Sequence, residues 1–187
     1  MVAGKLEKSV EKMCAVLRGR EEAQDSMLRL TREIVRGCAV AIKAVHARDR
    51  KAAEGEMRKV ETLIKKARKG EGEFRHVALS AYQEYAEAKV LLAALEKAEL
   101  PTHEELGVPF EAYLTGLMDA VGELRREMLG ELKRGRRKEA ERYFDVMDAI
   151  YEAVLPLRFS NSLLPNFRKK QDVARIQIEH ARSELLR

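Results

Sequence analysis

The sequence predicts an all-α fold, a single-domain bundle of about seven helices. Apolar residues recur at the three-and-four spacing of amphipathic helices almost from end to end. No stretch shows the Val/Ile/Thr alternation of a half-buried strand. The composition agrees, because 45% hydrophobic and 36% charged residues with only 4 Pro suit helices with charged outer faces. A length of 187 residues supports one ordinary domain, spanning residues 1–187, with a sizeable core.

A short basic helix is expected near Leu6 to Leu17. A long one follows from about Glu21 to His46, with Met27, Leu30, Ile34, Ala41 and Val45 on its inner side. The next runs from Ala52 to Lys69 and stops at KGEGE, where Gly70 and Gly72 supply helix-ending residues. Phe74 to Glu99 ends before Leu100-Pro101, since proline disfavours helical geometry in the residue preceding it. In THEEL, Glu105 stands three residues after Thr102, the spacing of a capping box, and predicts a single turn. Helices then cover Phe110 to Lys133, Arg136 to Leu157 and Phe167 to Leu186, separated by KRGRR and FSNSLLP. Short loops between such helices describe a bundle.

Several function classes drop out at this point. No apolar run approaches the ~20 residues needed to cross a bilayer, and the N-terminus lacks the apolar centre of a signal peptide. Cys14 and Cys38 have no metal-ligand or redox spacing and read as reduced thiols, so a soluble cytoplasmic protein is expected. The net charge of +5 admits a polyanionic partner without requiring one. A Gly-rich phosphate loop, a G-x-S-x-G elbow and a Cys-x-x-Cys pair are all missing from the sequence.

The acids are more informative. In QEYAEAKVLLAAL, from Gln83 to Leu95, helical rotation places Glu84 between Val77, Leu91 and Leu95, inside an apolar stripe. Glu87 is three residues on and shares a side with it. Asp119 and Glu123 form a second pair, four apart, turned away from the apolar face made by Tyr113, Leu117, Val121, Leu124 and Met128. Gly116 and Gly122 interrupt that helix, each costing ~1 kcal/mol relative to alanine. With Ala112 they leave the acid-bearing side small enough for another backbone to come close.

If the two helices pack there, four carboxylates share a partly dry cleft. They must then protonate, pair with Lys or Arg across the bundle, or bind a cation. Oxygen-only ligation suits Mg²⁺ or Mn²⁺, and such an ion supports phosphodiester hydrolysis. A Glu-x-x-His pair, Glu73 and His76, has the form of a di-iron signature but occurs once.

The basic runs Lys65 to Lys69, Lys133 to Lys138 and Arg168 to Lys170 sit at helix ends, where cations at a C-terminus also favour the helix itself. Arg126, three residues beyond Glu123, is placed to hold a site carboxylate or a phosphate oxygen. His76 lies on the side of Glu87, three turns earlier, and with Arg75 is a candidate nucleic-acid contact. Tyr82 and Tyr85 could offer stacking faces to unpaired bases, although Tyr85 falls on the apolar stripe.

QEYAEA at Gln83 to Ala88, together with YLTGLMDAVGELRR at Tyr113 to Arg126, resembles the translin family, and especially its catalytic branch, translin-associated factor X. RKKQDVARIQIEHARSEL near the C-terminus and REEAQDSMLRLTREIVRG near the N-terminus are similar to the same family, so the resemblance covers nearly the whole chain. It implies an octameric hollow shell that binds single-stranded nucleic acid, and metal-dependent RNA cleavage by the acidic branch. The branch's four acidic positions map onto Glu84, Glu87, Asp119 and Glu123, and all four are acidic here. The stretch between the two acidic helices is shorter than in the eukaryotic pattern, which implies a compact, self-assembling version.

Residues and resemblance together lead to the expectation of a homo-oligomeric, Mg²⁺- or Mn²⁺-dependent endoribonuclease acting on single-stranded RNA. The alternative is a non-catalytic binder of single-stranded RNA or DNA.

Overall fold

The computed structural model describes residues 3–186, and its regular elements are helical throughout. Helix α1 spans Ala3–His46, α2 Arg50–Gly70, α3 Arg75–Glu96, α4 His103–Leu106, α5 Phe110–Lys133, α6 Arg137–Val154 and α7 Phe167–Leu185; one 3₁₀ turn, Gly72–Phe74, precedes α3. The all-α expectation therefore holds, and the count is again seven because the turn expected at THEEL stands as α4 while two expected helices merge. The short helix expected near Leu6 to Leu17 and the long one after it form a single 44-residue helix. Gly19 lowers helix propensity locally but leaves the backbone path open, and Arg20 ties this region to Glu73.

Helix α3 lies at the centre, with α1 on one side and α5 on the other. Its buried residues, from Ala78 to Ala94, go all the way round. A helix covered on every side has no reason to be amphipathic, which is why Glu84 stands among apolar neighbours. Lys97, in the left-handed conformation with φ 58°, ends α3 by donating its backbone N–H to Ala93 and Ala94. The helix thus stops three residues short of the expected Glu99. The THEEL turn forms as expected: Thr102 Oγ1 accepts from the Glu105 N–H at 3.3 Å, and the Glu105 carboxylate accepts from the Thr102 N–H at 2.7 Å.

Helix α2 packs on α1 through Ala53, Met57, Val60, Ile64 and Ala67, at three-and-four spacing. Helix α5 carries α6 and α7 on its far sides, and the buried face of α7 is Phe167, Ala174, Ile178, Ala181 and Leu185.

The crossing of α3 and α5 depends on one glycine. A Cβ on Gly116 would lie 2.6 Å from the Gln83 carbonyl oxygen and 3.2 Å from the Glu87 backbone nitrogen. Only a residue without a side chain lets the two backbones meet there. The small face foreseen on α5 is used in this way, and it fixes the acid pair of α3 beside that of α5.

Candidate functional site

The contact at Gly116 opens into a cleft of about 930 Å³ bounded by α1, α3, α5 and α7. Glu84 and Glu87 enter it from α3, and Asp119, Glu123 and Arg126 from α5. Helix α1 adds Lys43 and His46, and α7 adds Lys169, Lys170 and Gln177. All four acids singled out in the sequence line this one cleft.

Their environments differ. Glu87 is 8% exposed, and burial pushes its carboxyl up to about 8, reinforced by the negative charges of Glu84, Asp119 and Glu123. Glu84 is half-buried and raised by burial and by Asp119, with Lys170 pulling the other way. No hydrogen bond contributes to either shift. These two carboxyls are the uncompensated pair, and desolvation without a partner favours the protonated form.

Asp119 and Glu123 are compensated. Lys170 of α7 pairs with the Asp119 carboxylate, which also accepts from the Gln83 side-chain amide at 2.8 Å. His46, the last residue of α1, sits between two acids of α5. Its Nε2 pairs with Glu123, and its Nδ1 lies 2.6 Å from Glu127. Burial opposes a charged ring, but the bonds to Glu123 and Glu127 outweigh it and raise His46 to about 9. The imidazolium donates to both acids and, in return, holds Glu123 below the usual carboxylate range.

As placed, no three His, Cys, Asp or Glu side chains among the described residues come together closely enough to hold a metal ion. Two of the four acids are instead paired with cations of the cleft, Asp119 with Lys170 and Glu123 with His46. The donor set still fits a hard divalent cation. It is all oxygen, it rests on rigid helices, and its Glu84 and Glu87 members have no side-chain partner to compensate their charge when they ionise.

The other sequence candidates separate. Arg126 lines the cleft, 65% exposed, with Nη1 3.9 Å from Glu123. It can turn to an anionic ligand at little cost. Arg75 and His76 stand exposed at the start of α3 and do not line the cleft. Glu73 of the Glu-x-x-His pair is engaged by Arg20. Tyr82 is fully buried and donates to Glu71 at 2.6 Å, and Tyr85 is 6% exposed, so neither presents a stacking face.

The run from Lys133 to Lys138 is largely structural: Arg134 and Arg136 converge on the buried Glu131, with Arg48 on its other side. Cys14 is exposed and Cys38 buried, both as free thiols, and burial together with Glu84 and Glu87 pushes the Cys38 thiol up. Among the described residues no helix is long and apolar enough to cross a membrane.

Fold and cleft together define a class, an all-helical bundle with a carboxylate-lined cleft rimmed by lysine and arginine. The chain belongs to the translin family, whose model matches residues 6–182. It is 31% identical over 174 residues to an uncharacterized protein of Methanocaldococcus jannaschii, a match covering 91% of this chain and 78% of that one. Among solved structures it is similar to AfC3PO, with 34% identity, a TM-score of 0.88 and 95% of each chain covered. A second AfC3PO structure, described as a complex with duplex RNA, gives 33% identity and a TM-score of 0.89, again over 95% of each chain. Apo-NeC3PO, at 22% identity, a TM-score of 0.86 and 95% of each chain covered, shares the fold.

Proposed function

We propose that this chain is a divalent-metal-dependent endoribonuclease that cleaves single-stranded RNA as a homo-oligomer, an octamer by resemblance to its family. The observation that carries the reading is the convergence of Glu84, Glu87, Asp119 and Glu123 in one cleft, where two of the four have no counter-charge of their own. Glu87, Asp119 and Glu123 would hold Mg²⁺ or Mn²⁺, with Glu84 completing the shell or orienting the attacking water. Such an ion supplies Lewis acidity, offsetting negative charge on a phosphoryl group and acidifying water.

The remaining steps belong to the protein. Lys43, Arg126 and Lys169 surround the acids with positive charge and attract the phosphate backbone to a cleft that would otherwise repel it. Lys170 is then the cation best placed to leave Asp119 for a phosphate oxygen. Glu84, whose affinity for a proton is raised by burial, is the member of the set that would take one from the attacking water. The AfC3PO complex with duplex RNA supports RNA as the partner class.

A non-catalytic binder of single-stranded RNA or DNA is the second reading. It is favoured by the pairing of Asp119 with Lys170 and of Glu123 with His46, which neutralises half of the acid set without an ion.

Incubation of labelled single-stranded and duplex RNA with the purified protein, in Mn²⁺ or in EDTA, separates the two. The nuclease reading expects cutting of the single strand in Mn²⁺ alone. It also expects Glu123→Gln to abolish cutting while RNA retention and the folded state persist. Retention without cutting in Mn²⁺ selects the binder, and loss of retention with residual cutting contradicts the role given to Glu123.

A further inference from the structure

Helices α2 and α3 both pack on α1 but hardly touch each other, and the trough between them is bordered by residues 99–102 and α4. It encloses about 510 Å³, a size that suits a small organic ligand. The trough is separate from the acid cleft. At ~100° of helical rotation per residue, Tyr85 and Lys89, which α3 contributes to it, leave the helix on the side away from Glu84 and Glu87.

Part of the charge in the trough is matched internally. Lys89 bonds Glu61 at 3.0 Å, and Glu105 accepts from the Thr102 N–H at 2.7 Å. Lys65 and Arg68, from the basic run that ends α2, line the trough without an ion pair among the described residues. A favourable place at a helix C-terminus accounts for their sign. It does not account for the seating of Arg68. Its guanidinium packs against Gly107, where a Cβ would stand 2.7 Å from Cζ, so the fork is held at the trough rather than free in solvent.

Tyr85 is the side chain that points to a ligand. It is 6% exposed and lines the trough beside Glu61 and Arg68, yet its hydroxyl has no hydrogen-bond partner among the described residues. A buried phenol ordinarily finds one, as Tyr82 does in Glu71 and Tyr113 in the Pro101 carbonyl. Burial, aided by Glu61, pushes the Tyr85 phenol up to about 12, so it keeps its proton and is a donor.

A guanidinium fork, an ammonium and a hydroxyl thus line one volume. Three donors from different directions suit the three terminal oxygens of a phosphate monoester better than the two coplanar oxygens of a carboxylate. Ile64, Leu100 and Leu106 supply an apolar wall for the organic part. Glu99, unpaired among the described residues, is an acceptor for a hydroxyl or amino group on it.

We propose that this trough is a second ligand site, which takes a small phosphate monoester of up to mononucleotide size on Lys65, Arg68 and the Tyr85 hydroxyl. The inference does not rest on the nuclease reading of the acid cleft.

Calorimetric titration of the full chain in EDTA, with adenosine 5′-monophosphate, ribose 5-phosphate and adenosine in turn, tests it. Saturable binding of at least one of the two phosphates is expected, and none of adenosine; the tighter phosphate shows whether the wall takes a base or a sugar alone. Tyr85→Phe removes only the hydroxyl and should weaken that binding roughly tenfold or more. Arg68→Gln should weaken it at least as much, whereas Arg126→Gln, on the rim of the acid cleft, should leave it unchanged. The proposal is overturned if neither phosphate binds saturably, if adenosine binds as well as its phosphate, or if Arg126→Gln abolishes binding that Tyr85→Phe leaves intact.

Urea unfolding without ligand gives a second readout. A hydroxyl with no partner adds nothing to the fold, so Tyr85→Phe should unfold at the parent's midpoint or above it. A lower midpoint would assign the hydroxyl to the fold itself and also overturn the proposal.

Discussion

Replacing Glu87 with Gln removes a negative charge from a buried position while keeping the size and shape of the side chain. Burial, aided by Glu84, Asp119 and Glu123, pushes the Glu87 carboxyl up to about 8. In an unfolded chain it titrates near 4.5. Between these values the folded protein binds more protons than the unfolded one, so stability falls as pH rises from about 4.5 and levels off above about 8. The full penalty is on the order of 5 kcal/mol at its upper limit, reduced by whatever water or side-chain movement relieves the charge.

Glu87→Gln should therefore leave stability near pH 4.5 almost unchanged and raise it by several kcal/mol at pH 9. In urea unfolding of the metal-free protein this appears as a higher midpoint at pH 9, and as a flatter dependence of the midpoint on pH. Identical pH profiles for the variant and the parent would refute the claim that Glu87 is held in a dry, negatively charged site. A lower midpoint for the variant at pH 9 would refute it equally.

Gly116→Ala should destabilise the fold by about 1–3 kcal/mol in the same unfolding assay. The new Cβ meets the Gln83 carbonyl, which outweighs the ~1 kcal/mol gained in helix propensity; a more stable variant would contradict the close approach. His46→Gln carries the opposite pH signature to a depressed carboxylate. The contribution of His46 is fully present below about 6.5, is lost as pH rises through about 9, and is on the order of 3 kcal/mol. The variant should therefore be clearly weaker than the parent at pH 6 and nearly equal to it at pH 10, as read by urea midpoints.

Much of the site was legible because helical spacing is a local property. Glu84 with Glu87, and Asp119 with Glu123, share faces whatever the rest of the chain does. The mid-helix Gly116 signalled that another backbone would come close. Those three facts place the acids together. The resemblance named the same four residues.

Other parts of the site had no local signal. His46 reaches Glu123 across 77 positions, and Lys170 reaches Asp119 across 51. Such pairings depend on how each helix is rotated and crossed, which periodicity leaves free. In the sequence, His46 is a basic residue ending a helix, and Lys170 is one of three cations in a run. The same limit affects Tyr82 and His76: one is buried by α3's central position and the other is left outside the cleft. The split expected near Gly19 failed for a different reason, since a single glycine lowers helix propensity without deciding where a helix ends.

Titration of Mn²⁺ into the RNA-free protein by calorimetry at pH 7.5, in two buffers of different ionisation enthalpy, tests most directly whether the four carboxylates form one ion site. One saturable site per chain is predicted, with proton release from the buried acids and its loss in Asp119→Asn. No saturable binding, or binding that Asp119→Asn leaves untouched, would contradict it.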